Sequence, residues 1–171
     1  MYTILVTGAS SGIGRVTALR LAQSGYDVIA TGRSESRLKG LVVEANDLGL
    51  ELKTFSMDIC SSARDIRDAI ESNICSERVD VLVNNAGYGL WGPLETLSDQ
   101  ELNNQFQTNV FGLISLTQTL LPQLRLSDNG KIINVSSVLG RLGTPFNGAY
   151  VSSKFALEGL SESLRHELAP F

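Results

Sequence analysis

Tyr150 and Lys154 stand four residues apart in a helix-forming stretch, so both side chains project from one face. Together they can move a proton. A phenol titrates near 10 and is a poor base at neutrality, but a neighbouring ammonium favours the phenolate. Lowering a phenol by ~3 units takes ~4 kcal/mol of differential interaction, which a dry cleft supplies. The phenol then exchanges a proton with an alcohol or a carbonyl. Ser137 follows an apolar run, where its hydroxyl can orient the oxygen of such a substrate. Asn109 falls inside a long helical stretch, where an amide is mildly unfavourable; it can instead hold a water linking Lys154 to solvent. Each residue also has a plainer use: Tyr and Lys on a solvated face, Ser capping a turn, Asn bonding to another helix. Their order behind a glycine-rich turn is what favours chemistry.

The elements that must position them alternate between strand and helix. Residues 3–7 read as a buried strand, and residues 12–24 as a helix with Val16, Leu19 and Ala22 on one side. Strands are predicted at 27–31, 52–57, 79–83 and 131–135, and helices at 34–48 and 62–74. A long helix is predicted over 98–121, where Leu113, Leu116, Leu120 and Leu124 mark one face. The last helix, 149–168, carries Leu157, Leu160, Leu164 and Leu168 as a stripe. Alternating strands and helices imply βαβ units. Near-continuous apolar strands imply a parallel sheet covered on both faces. The fold class is therefore α/β: one Rossmann-like, doubly wound parallel sheet over 1–171, in strand order 3-2-1-4-5.

Gly8, Ser10, Ser11, Gly12, Ile13 and Gly14 lie in the turn between the first strand and first helix. Missing side chains let the backbone turn tightly, and the helix start offers N–H groups and a positive dipole end to a pyrophosphate. The alternative is a turn that only aids packing, but its place after strand one favours a dinucleotide. After the second strand come Gly32 and Arg33, where a diphosphonucleotide site would set Asp or Glu. A guanidinium there pairs with a 2′-phosphate, so NADP(H) is favoured over NAD(H). The competing readings are a solvated Arg33 and an Arg33 engaged by Glu35.

Thr7-Gly8-x-x-x-Gly12-x-Gly14, Asp58, Asn84-Asn85-Ala86-Gly87, Asn109, Ser137 and Tyr150-x-x-x-Lys154 span nearly the whole chain. With them the sequence resembles the short-chain dehydrogenase/reductase family. That resemblance implies an Asn109, Ser137, Tyr150 and Lys154 tetrad with Tyr150 as acid/base, and Lys154 also on the nicotinamide ribose. It implies Asp58 on the adenine with Ile59 beside it, and Asn85, Ala86 and Gly87 along the cofactor cleft. It further implies a homodimer or homotetramer through the helices near 98–121 and 149–168. Members usually continue through two more strands and a substrate lid, so the end at Phe171 reads as that of a fragment. The expectation is an oxidoreductase exchanging hydride with a carbonyl or secondary alcohol. The alternative is a shortened, non-catalytic dinucleotide sensor or scaffold. Leu90, Trp91, Leu94, Leu139, Leu142 and Phe146 should border the cleft and suit a hydrophobic carbonyl or alcohol. The other use of Trp91 and Phe146 is loop or subunit packing.

Composition narrows the remaining classes. The 171 residues are 43% hydrophobic, enough for one core. A net charge of −4 without a basic stripe argues against nucleic acid as a partner. The uncharged run near the chain's middle is rich in Asn, Gln, Ser and Thr, so no membrane span is expected. No basic leader precedes the first strand, and a cytoplasmic setting with Cys60 and Cys75 as free thiols is expected. One histidine, His166, and two unpaired cysteines make no ordinary zinc set, so no metal is expected.

Overall fold

Side-chain alternation along the strands decides the layers. Ile4, Val6, Val28, Ala30, Val81 and Val83 gather with Ala18, Leu19, Leu41 and Ala45 in one core. Leu5, Ile29, Phe55 and Leu82 point the other way, into a second core with Ile66, Ile70, Leu116 and Leu120. The computed structural model describes residues 2–74 and 78–171. Its strands are β1 (Thr3–Val6), β2 (Asp27–Gly32), β3 (Lys53–Ser56), β4 (Val81–Asn84) and β5 (Lys131–Asn134). All pair in parallel in the order β3-β2-β1-β4-β5, with Ile4 opposite Val28, Leu5 opposite Leu82 and Val83 opposite Ile133. The predicted fold class and strand order are therefore correct.

Helices α1 (Gly12–Gln23) and α2 (Glu35–Asp47) cover one face. Helices α3 (Ala63–Ile74), α4 (Asp99–Phe106), α5 (Gly112–Arg125) and α6 (Gly148–Glu167) complete the set. α3 and α5 cover the opposite face with Ile66, Ile70, Ile74, Leu116, Leu120 and Leu124. Asn84 reaches Thr117 of α5, and Asn134 reaches Ser161 of α6, placing α6 on that same face. Among the described residues no helix is long and apolar enough to cross a membrane, and no cluster of ligating side chains could hold a metal ion. Cys75 falls outside the described residues; Cys60 is a free thiol.

Three local expectations are corrected. Val16 is 57% exposed, because α1 packs on the sheet through Gly14, Ala18 and Leu19 instead. The helix predicted over 98–121 is interrupted by a π turn (Gln107–Phe111) and then runs on through Pro122 to Arg125. A π turn inserts one residue per turn and re-aims the side chains beyond it. The apolar stripe of α6 is fully buried only at Leu157; Leu164 and Leu168 line an open groove of about 550 Å³ beside β5. β5 is an edge strand with Ile133 49% exposed, whereas β4 is buried at every position.

Asp80 anchors the end of the sheet remote from the strands' carboxyl termini. It accepts from the Ser127 hydroxyl at 2.6 Å, the Thr3 N–H at 2.9 Å and Arg78 Nε at 3.0 Å. Burial pushes this carboxyl up, but those donors and the Arg78 charge outweigh it and hold it below the usual carboxylate range. Its contribution is thus present above about pH 4 and fades as the pH falls through the lowered value.

Candidate active site

The carboxyl ends of the strands open onto a cleft of about 420 Å³. Its floor begins with the turn after β1. Gly8 has φ +65°, and a Cβ there would come within 2.8 Å of Ala86 Cα. A Cβ on Gly14 would collide with the Asn85 amide and the Gly8 carbonyl, so this glycine lets α1 sit against the turn. Thr7 Oγ1 accepts from the N–H groups of Asn85 and Ala86, each at 3.0 Å, and Asn85 Nδ2 donates to Thr7 O at 2.9 Å. The turn after β1 and the segment after β4 are thereby one unit.

Ser11 precedes α1 in extended conformation and makes no side-chain cap. The first N–H groups of α1 therefore open onto the cleft, which Ser10, Ser11, Gly12 and Ile13 line. A helix start left open in this way can hold an anion. Arg33 lines the same cleft, and so does Arg37, which the sequence reading missed although it lies only four residues further on. Glu35 does not engage Arg33, because it pairs with Lys39 at 2.7 Å. Arg15 is turned away, its Nε 2.9 Å from Glu44 and its other nitrogens on the carbonyls of Arg37 and Gly40. Asp58, Ile59, Cys60 and Thr108 close the adjoining wall, with Asp58 Oδ1 accepting the Cys60 N–H. A dinucleotide fits this chemistry: free helix N–H groups for its pyrophosphate and two guanidinium groups with no carboxylate partner among the described residues.

At the far end stand Tyr150 and Lys154. The Lys154 ammonium lies 5.7 Å from the centre of the Tyr150 ring and donates to Val135 O at 2.7 Å. Lys154 is 7% exposed, and burial pushes its amine below the ordinary lysine range, with the Glu158 carboxylate partly restoring it. Glu158 is itself held by Arg141 at 2.9 Å. Ser137 does not line the cleft; it caps a short 3-10 turn (Val138–Gly140), its Oγ accepting from Leu139 N at 3.1 Å. Its neighbour Ser136 lines the cleft instead and carries a buried Oγ without a hydrogen-bond partner. Asn109, in the π turn, is buried, and its amide is spent on Tyr88 N, Tyr88 O and the Ser153 hydroxyl. The amide therefore holds protein groups where a bound water was expected. Ala86 and Gly87 line the cleft, as does Asn85, while Gly14 lies beneath it. None of Leu90, Trp91, Leu94, Leu139, Leu142 and Phe146 lines the cleft; Trp91, Leu94, Leu142 and Phe146 are exposed, and Gly92 N donates to Phe146 O at 2.9 Å, tying the loops after β4 and β5 together.

The chain is similar to known proteins along nearly its whole length. A 3-ketodihydrosphingosine reductase of Bacteroides thetaiotaomicron is 41% identical over 98% of this chain, which spans 59% of that protein. Human retinol dehydrogenase 8 is 42% identical over 99% of the chain, which spans 55% of it. Among solved structures, a short chain dehydrogenase of Shigella flexneri 2a complexed with NADP superposes with a TM-score of 0.92 at 35% identity, over 97% of this chain and 71% of that one. The chain thus spans little more than half the length of the curated relatives. The family model described as short chain dehydrogenase matches residues 2–171, and the chain belongs to that family.

Proposed function

We propose that this chain carries the dinucleotide site and proton-transfer residues of an NADP(H)-dependent oxidoreductase acting on a carbonyl or secondary alcohol. One observation carries the reading: a phenol and a buried ammonium share a cleft with a bare helix start. Arg33 and Arg37 favour NADP(H) over NAD(H), and several neighbours were crystallised with NADP or NADPH. Gly8, Ser10, Ser11, Gly12 and Ile13 would hold the pyrophosphate over Gly14. Asp58 and Ile59 would hold the adenine, and Asn85, Ala86 and Gly87 the middle of the molecule. When bound, a nicotinamide dinucleotide supplies or accepts the hydride.

The chain's own residues manage the proton. Tyr150 gives a proton to a carbonyl oxygen during reduction and takes it back from an alcohol during oxidation. Lys154, held by Val135 O, keeps a positive charge in the cleft beside the phenol ring. Ser137 stands next to Ser136, which lines the cleft; one of its two lone pairs is engaged by Leu139 N, and its hydroxyl hydrogen remains to orient a substrate oxygen that reaches past Ser136. Asn109 keeps the 88–90 segment in place beside them.

The exposed Trp91, Leu94 and Phe146 on the loops after β4 and β5 suit a hydrophobic substrate, and two relatives are named for a sphingoid ketone and for retinol. Exposed Phe111 and Phe155, on the π turn and α6, suit a homodimer or homotetramer contact. The cytoplasm is the proposed compartment. Residues 1–171 work as one cofactor-binding domain.

The test titrates NADPH and NADH by fluorescence, then offers aldehydes and ketones to the full-length gene product. Binding of NADPH and turnover of a ketone are expected. Tight binding with no turnover of any substrate would favour a sensor and sink the enzyme reading.

A further inference from the structure

Gln105 is a large polar side chain with 0% exposure, and none of the chemistry above uses it. It lies in α4 one turn before Asn109. Its Oε1 accepts from Leu90 N at 2.7 Å and its Nε2 donates to Tyr88 O at 2.8 Å. Asn109 Oδ1 accepts from Tyr88 N at 3.1 Å, and its Nδ2 donates to Tyr88 O at 2.9 Å. The two amides address the 88–90 backbone much as a neighbouring strand would. A buried amide is costly unless paired, so both are locked by satisfaction of all these groups.

Gly89 stands at the centre of the clamped stretch. A Cβ on it would meet Trp91 Nε1 at 3.2 Å and Tyr150 Cδ2 at 3.6 Å, so this backbone faces the phenol ring with room for no more than a methyl group between them. The network also reaches Tyr150 from behind: Asn109 Nδ2 donates to Ser153 Oγ at 3.0 Å, and Ser153 Oγ donates to Tyr150 O at 2.7 Å. We propose that Gln105 is a positioning residue for proton transfer, clamping the Tyr88–Leu90 backbone with Asn109 so that this segment limits the swing of the Tyr150 ring while Ser153 holds its backbone. This inference rests on the oxidoreductase reading.

Gln105→Met keeps the volume and removes both hydrogen bonds. In the full-length protein, kcat for a ketone should fall roughly tenfold to a hundredfold, because small misplacements of a catalytic group are costly. KM and the NADPH Kd should stay within about twofold, since Gln105 makes no hydrogen bond to the turn after β1 or to the 85–87 segment proposed to hold the nucleotide. Gln105→Asn, too short to reach either group, should lose kcat to a similar degree. A packing role makes the opposite prediction: Met harmless and Asn impaired through its cavity, a pattern that overturns the proposal. Should either variant fail to fold, amide exchange in the unaltered protein decides. Leu90 N–H should exchange about a hundredfold more slowly than Gly89 N–H, which has no acceptor among the described residues. Equal exchange overturns the clamp. Failure of the unaltered full-length protein to turn over any substrate overturns the oxidoreductase reading and this proposal with it. Turnover that survives Gln105→Met overturns the proposal alone.

Discussion

On one wall of the cleft, α1 starts at Ser11 without a side-chain cap, and Arg33 and Arg37 have no carboxylate partner among the described residues. On the other, α4 starts in a full capping box between Ser98 and Glu101, and Gln105, Asn109 and Ser153 spend their polar atoms on one another's surroundings. Both helices start at the carboxyl-end rim of the sheet, yet one start is left open and the other is closed. The difference separates two tasks. On the proposed function, donors stay free where an anionic ligand supplies the acceptors, and they are consumed where a reacting side chain is held still. Tyr150 and Lys154 sit at the junction, with the ammonium tied to Val135 O and the phenol presented to the cleft.

Breaking the reaction wall should have the largest effect. Tyr150→Phe keeps the ring but removes the proton donor, so turnover should fall about 10²–10⁴-fold while NADPH affinity measured by fluorescence is unchanged. On the nucleotide wall, Arg33→Asp replaces a charge-assisted donor with a repelling carboxylate. The NADPH-to-NADH ratio of dissociation constants should move about tenfold or more toward NADH, and an unchanged ratio would refute the role given to Arg33. Arg37→Ala should move it in the same direction and less.

The contrast between the helix starts is sharpened by a crossed pair of variants. Ile13→Asp sets a negative charge in the uncapped first turn of α1. It should raise thermal stability by about 0.3–1 kcal/mol through the helix dipole while weakening NADPH binding about tenfold. Ser98→Ala opens the closed start of α4 and should cost about 1 kcal/mol of stability, leaving NADPH affinity as it was. If both variants change affinity alike, the division of labour between the walls is wrong. The smallest effect concerns pH. Lys154 is already lowered by burial, and Glu158 opposes that shift. Glu158→Gln should therefore bring the alkaline fall in turnover to lower pH, because the ammonium is lost as pH rises through the lysine's lowered value. A profile that stays put, or moves up, would remove Glu158 from the account.

The layer order and the cleft's main residues were legible because they depend on short-range rules. Strand runs such as residues 27–31, the glycine turn before α1, and the four-residue step from Tyr150 to Lys154 are all set by neighbours in the chain. Val16 was misplaced because period alone does not say which face of α1 meets the sheet; the close approach at Gly14 and Ala18 decided that. The π turn was invisible because its widened hydrogen bonding is sustained by packing, not by any residue's propensity. Glu35 looked like a rival for Arg33 until helical geometry gave it to Lys39. By itself, then, the order of residue types determined a parallel α/β sheet with a dinucleotide turn and a Tyr–Lys pair along one helix. Only the tertiary structure decided that Arg15 is spent on α2, that Arg37 faces the cleft, and that Gln105 and Asn109 hold the segment beside Tyr150. Such choices depend on which buried amide or guanidinium finds a partner far away in the chain, and that competition is settled only once the elements have packed.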